Sequence, residues 1–328
     1  MSLTLAATIQ EAPQYEEFYG FVQSPFTLAP DPRFLYLSES HDGALQLLLQ
    51  SIRRKEGIIV LTGDIGTGKT TVCRSVLERL DMTSFTSLLL NPFLSVEEML
   101  REILLDFGVV SREAVRSGRV GAATKHDLVS TLHEFLISLV PIGGTGILMI
   151  DEAQHLSPQV LEELRVISNL ETNQSKLLQI VLVGQLNLLE VLAAPELRQL
   201  DQRISLRATL TPLTRTDLEA YIGHRLSVAR GSSSVNFDSQ ALDAIHATSE
   251  GVPRVINLLC DRALMLGARD GISVIPEDII TEAADGLGLR AARARTWSWF
   301  QGPRRWIPIV ATILALLATL AALTRVSI

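Results

Sequence analysis

The octapeptide GDIGTGKT, residues 63–70, sets Gly63, Gly66 and Gly68 around a loop that ends in Lys69 and Thr70. Glycines let successive backbone N–H groups turn inward, and a following helix adds its positive end, so this spacing makes a cradle for phosphate oxygens. The pattern GxxxxGK[ST], known as Walker A, puts a lysine on the β- and γ-phosphates of a nucleotide and a hydroxyl on Mg²⁺. Lys69 and Thr70 are the candidates for those roles. Asp64, Ile65, Thr67 and Thr71 complete an expected nucleotide-binding set over residues 63–71.

A strand must deliver this loop and a helix must follow it. GIIVLT (57–62) reads as a short buried β-branched strand, and TTVCRSVLERL (70–80) reads as an amphipathic helix. A second apolar strand, within GILMIDEAQHL (146–156), ends in Asp151 and Glu152. In a parallel α/β sheet such strand ends converge on the ligand. Asp151 is then the expected Mg²⁺ partner of Thr70, acting through the metal's water shell, and Glu152 the group that polarises the water attacking the γ-phosphate. Read without the phosphate loop, the same two acids serve as an N-cap and first-turn acid of the next helix.

Composition agrees with that frame. Hydrophobic residues make up 47% of the 328 positions and aromatics 5%, a Leu, Ile, Val and Ala content suited to helices packed on buried strands and not to a β-sandwich. Cys73 and Cys260 lie far apart with no metal-ligand spacing, so neither a zinc site nor a disulfide framework is suggested and a reducing compartment is expected. The opening MSLTLAATIQ carries no basic residue and no secretory apolar run, so the N-terminus is expected in the cytoplasm.

Charge is uneven. The net charge is −7, yet RAARARTWSWFQGPRR (290–305) holds five arginines and no acid. Directly after it, residues 306–323 are free of charge and would form a helix about 27 Å long, close to the hydrocarbon thickness of a bilayer. The expectation is one transmembrane helix, with Trp297, Trp299 and Trp306 at the headgroup level and the large N-terminal part cytoplasmic by the positive-inside rule. A helix apolar on every side suits lipid better than one face of a soluble core.

Taken together, FYGFVQSPFTLAPDPRFLYLSESH, GDIGTGKTT, IDEAQ, VLVGQ, LRQLDQRI and GVPRVINLLCDRAL, spread over residues 18–268, resemble the AAA+ ATPases of the general secretion pathway protein A type, including relatives from exosortase and polysaccharide-export loci. The resemblance implies an α/β P-loop core with a parallel sheet, a small helical lid, and ATP with Mg²⁺. It implies further roles by position: Gln185 as a sensor of the γ-phosphate or attacking water, Arg203 as an arginine finger offered to a neighbouring subunit with Arg198 as the second candidate, and Arg254 as a sensor on the lid. Many AAA+ proteins place Asn, Ser or Thr where Gln185 stands, and glutamine can still donate a hydrogen bond.

These placements divide the chain into an N-terminal extension (1–37), an ATPase core (38–211), a helical lid (212–287), a basic linker (288–305), the membrane helix (306–323) and a short tail (324–328). The Pro-rich SPFTLAPDP is expected to run extended against the nucleotide domain near the adenine. In the best-known family members a periplasmic peptidoglycan-binding domain follows the span, whereas this sequence continues five residues past it, so contact with the cell wall is expected to fall to a partner. The leading expectation is an inner-membrane homo-oligomer that couples ATP hydrolysis to assembly or operation of an envelope secretion or polysaccharide-export system. Two alternatives are a DNA-linked transposition helper, disfavoured by the acidic catalytic part, and a nucleotide-gated membrane scaffold.

Overall fold

A computed structural model describes residues 15–29, 31–113, 123–172, 176–229 and 235–289. Five strands form one parallel sheet: β1 (Ile58–Gly63), β2 (Ser84–Leu89), β3 (Thr145–Ile150), β4 (Leu178–Gly184) and β5 (Ile204–Leu210), in the order β2-β3-β4-β1-β5. The three central strands, β1, β3 and β4, are buried along their whole lengths, as a parallel sheet covered by helices on both faces requires. The edge strands are wetter. In β5 Ser205, Arg207 and Thr209 are exposed while Ala208 and Leu210 are buried.

Two apolar layers sandwich this sheet. On one face Ile58, Val60, Leu148, Ile150, Ile180 and Leu182 pack against α4 (Val96–Asp106), α5 (Lys125–Leu139) and α6 (Pro158–Ile167). On the other, Ile59, Leu61, Met149, Val181 and Val183 pack against α2 (Glu39–Arg53) and α3 (Lys69–Glu78). The alternation along each strand assigns one set of side chains to each face. Helix starts are chemically marked: Ser95 and Thr124 each close a capping box with the acid three residues on, Glu98 and Asp127.

The short helices α7 (Asn187–Leu192) and α8 (Arg198–Asp201) join β4 to β5, and after β5 the chain builds a helical unit, where the lid is expected, from α9 (Arg215–Ala229), α10 (Ser239–Ser249), α11 (Pro253–Arg269) and α12 (Glu277–Gly286), with a two-residue parallel pairing of β6 (Asn236–Phe237) and β7 (Val274–Ile275). The lid has its own core, and the N-terminal segment is part of it. Tyr15 and Tyr19 of α1 (Tyr15–Tyr19), with Phe21, Phe26 and Phe34, are buried among Leu218, Ile222, Leu259 and Leu264. The segment also reaches the nucleotide domain, where Leu35 packs on the layer formed by α2 and α3. Among the described residues no helix is long and apolar enough to cross a membrane; the expected span at 306–323 lies outside them, as do nearly all of the basic linker and the tail.

Candidate active site

Parallel pairing brings three loops to the same edge of the sheet. Thr62 of β1 lies opposite Gly184 of β4, and Leu182 of β4 lies opposite Ile150 of β3, so the phosphate loop, Gln185 and the Asp151–Glu152 pair leave adjacent strand ends. Because β4 stands between β1 and β3, Gln185 is placed between the other two groups.

The phosphate loop is held closed by its own polar atoms. Thr67 Oγ1 donates to the Asp64 carbonyl at 2.8 Å, and Asp64 Oδ1 accepts from the Ile65 N–H at 2.7 Å. Lys69 is buried, with Nζ donating to the carbonyls of Gly63 at 3.0 Å and Asp64 at 2.9 Å. Burial lowers its ammonium below the ordinary 10.5, opposed by the carboxylates of Glu152 and Asp151. Cations aimed at a phosphate site from an apolar seat are electrostatically potent because little water screens them.

Thr70 Oγ1 donates to Asp151 Oδ2 at 2.7 Å, which joins the first turn of α3 to the end of β3. Asp151 Oδ1 accepts from the Glu152 N–H at 2.9 Å. This hydroxyl and carboxylate are hard oxygen donors of the kind Mg²⁺ takes beside substrate phosphates. Among the described residues no group of three or more His, Cys, Asp or Glu forms an all-protein metal cage, so phosphate and water oxygens would complete such a shell. Glu152 has φ +53°, left-handed backbone that a non-glycine residue adopts at a cost. Its Oε2 accepts from Gln154 Nε2 at 2.5 Å and from Gln185 Nε2 at 3.4 Å.

Above the loop lies a cavity of about 310 Å³, lined by residues 65–71, Glu152, Arg254 and a wall made of Thr27, Leu28, Phe34 and Tyr36 from the N-terminal segment. Arg254 reaches the loop from the lid: its backbone N–H donates to the Gly66 carbonyl at 3.2 Å. Gly66 has φ +81°, and a Cβ there would stand 2.6 Å from Arg254 Cβ, so the lid can touch the loop only because residue 66 is glycine.

Arg198 and Arg203 are exposed and do not line this cavity. Arg203 Nη1 donates to Asn169 Oδ1 on the surface. The structure therefore brings together Gly63 to Thr71, Asp151, Glu152, Gln185 and Arg254, and leaves both candidate finger arginines outside.

Three contributors were not singled out from sequence. His41 is buried under the loop, with Nε2 at 2.8 Å from the Thr67 carbonyl and Nδ1 at 2.6 Å from Ser38 Oγ. Arg225, also buried, donates from Nε to the Pro25 carbonyl at 2.6 Å and from Nη2 to the Thr27 carbonyl at 3.0 Å, with its guanidinium 4.7 Å from the centre of the Phe34 ring. Gln154 carries a signal only in that it follows the acidic pair.

The AAA domain family matches residues 52–192. The chain is 40% identical over 278 residues to general secretion pathway protein A of Aeromonas hydrophila, a match covering 84% of this chain and 49% of that protein. It thus spans about half the length of the curated relative it matches. Two solved structures share the fold: the ORC2 protein of Aeropyrum pernix in ADPNP–ADP complexes, with TM-score 0.61 at 15% identity over 80% of this chain and 71% of that one, and Drosophila ORC bound to DNA, with TM-score 0.62 at 16% identity over 93% and 73%.

Proposed function

We propose, on the premise that this chain is an ATPase of the AAA family related to general secretion pathway protein A, that it is anchored in the bacterial inner membrane and couples ATP binding and hydrolysis to assembly or operation of an envelope export system. The observation that carries the catalytic part is the bond from Thr70 to Asp151, which sets the phosphate loop, a hard oxygen pair and Glu152 around one cavity.

The residues have separable tasks in this reading. Backbone N–H groups of residues 65–70 and the Lys69 ammonium bind the β- and γ-phosphates. Thr70 and Asp151 hold Mg²⁺, which when bound offsets charge on the transferring phosphoryl group. Glu152 takes the proton of the water whose oxygen attacks the γ-phosphorus as the bond to the ADP oxygen breaks. Gln185 donates toward that water or the γ-phosphate, Arg254 contacts the nucleotide from the lid, and the wall of Thr27, Phe34 and Tyr36 takes the base.

The anchor rests on the apolar stretch 306–323 and the five arginines before it, with the ATPase part on the cytoplasmic side. The export role rests on the relative's name, and a homo-oligomer is proposed so that Arg203, or Arg198, can serve a neighbour's site.

The test is co-purification of the full chain from native bacterial membranes, using Glu152→Gln to retain ATP and with it transient partners. Recovery in the membrane fraction with envelope export proteins is the expected result. Recovery in the soluble fraction, or with DNA and a transposase, overturns it.

A further inference from the structure

We propose that Gln154 is the positioning residue of this site: it ties the Glu152 carboxylate to the end of β4, so that Glu152 and Gln185 respond to the γ-phosphate as one unit. The inference rests on the reading of Glu152 as the water-activating group.

Gln154 is buried, unusual for an uncharged amide with no apolar advantage, and both ends of that amide are used. Its Oε1 accepts from the Gln185 backbone N–H at 3.1 Å, and its Nε2 donates to Glu152 Oε2 at 2.5 Å. The orientation of the amide is set by its partners, because a backbone N–H can only donate and a carboxylate can only accept. One side chain therefore links the carboxylate after β3 to the main chain at the end of β4. The Gln185 side chain adds a second, longer bond to the same Oε2 at 3.4 Å.

The seat of Gln154 is built into the sheet. A Cβ on Gly184 would lie 2.7 Å from Gln154 Oε1 and 2.8 Å from Leu188 Cδ2, so the last residue of β4 must be small for the amide to reach the Gln185 N–H. Glu152 itself sits in left-handed backbone, held by the bond from its own N–H to Asp151 Oδ1. Without Gln154, nothing but the longer Gln185 bond would direct its side chain among the bonds it makes here.

A positioning role predicts a loss in the chemical step and not in binding. In the full chain, Gln154→Met should lower single-turnover ATP hydrolysis at least tenfold while the ATP dissociation constant, read with a fluorescent analogue, changes less than twofold. Gly184→Ala, which crowds the same amide, should act in the same direction. If Gln154→Met does not fold, the isosteric Gln154→Glu gives the same test with a carboxylate placed against Glu152, and a larger loss is expected. Hydrolysis within twofold of wild type, or a loss that appears equally in ATP binding, overturns the proposal. Glu152→Gln measured alongside separates the two levels: wild-type turnover in that variant removes the underlying assignment of Glu152, whereas an inactive Glu152→Gln beside a fully active Gln154→Met removes only the role of Gln154.

Discussion

The ring of His41 stands 2.8 Å from the carbonyl oxygen of Thr67, and its second nitrogen lies 2.6 Å from Ser38 Oγ. Nε2–H therefore donates to the phosphate loop while Nδ1 accepts from the hydroxyl that caps α2, an arrangement that uses the neutral ring. Burial lowers its pKa below the ordinary 6.5, with the bond to Thr67 and the charge of Asp217 opposing. Between the folded value and 6.5 the unfolded chain binds more protons, so this contribution to stability is complete above about 6.5 and is lost as pH falls through the folded value. His41→Gln retains a donor for Thr67 but does not titrate. The wild type should lose more melting temperature than His41→Gln on acidification across that window, and parallel curves would contradict the assignment.

Gly66 makes the contact between loop and lid possible, and Gly66→Ala should separate them. A methyl group would meet both Arg254 Cβ at 2.6 Å and Val252 Cγ1 at 3.2 Å, on backbone at φ +81° that alanine adopts poorly. ATP binding should weaken at least tenfold, with faster proteolysis between core and lid. Equal affinity would mean that the lid does not need the Arg254 to Gly66 bond.

Arg225 clamps the N-terminal segment to the lid through two neutral acceptors, the carbonyls of Pro25 and Thr27, and is itself oriented by the Tyr221 hydroxyl of its own helix at 3.0 Å. Truncation to alanine leaves these acceptors without their donor and opens a cavity beside Phe34. Unsatisfied buried groups cost about 1–3 kcal/mol each, so Arg225→Ala should lower unfolding free energy by at least about 3 kcal/mol in urea titration. Nucleotide affinity should fall with it, because Thr27 and Phe34 line the cavity.

Arg203 bonds Asn169 in its own subunit and lies off the cavity, so a role in hydrolysis requires a neighbour. Arg203→Ala should keep ATP affinity and lose turnover, and mixing it with Glu152→Gln subunits should recover part of the activity. Absence of recovery at concentrations where the wild type is active would remove the finger assignment.

Much of the sheet was legible because β1, β3 and β4 each carry a four-residue apolar run, IIVL, ILMI and IVLV, the signature of strands buried on both faces. The reading of β1 falls one residue short of Gly63, and that of α3 starts one residue late and runs past Glu78. The edge strand β2, SFTSLL, gave no comparable run since it is half wet. Lid helix starts were visible in Asp238 before α10 and Pro253 opening α11.

The hidden features are the long-range ones. Arg225 meets a carbonyl 200 residues earlier in the chain, inside the Pro-rich segment, and nothing at either end signals that the two are paired. Gln154 was not singled out because one of its two partners is a backbone N–H, which every position but proline offers, so the pairing leaves no pattern in the sequence. The aromatics Tyr15, Tyr19, Phe21 and Phe26 in a chain with few such residues were a signal that the N-terminal segment buries itself, and these four do so in the lid core while Phe18 stays exposed.

The central claim is hydrolysis of ATP at the cavity that the Thr70 to Asp151 bond closes, and its most direct test is Mg²⁺-dependent phosphate release by the full chain beside its Glu152→Gln variant. Glu152→Gln should retain ATP affinity within threefold and lose at least about a hundredfold in turnover, in line with removal of a general base. Equal turnover in the two proteins, or no Mg²⁺-dependent phosphate release from the wild type in native membranes or in purified form, would contradict the account.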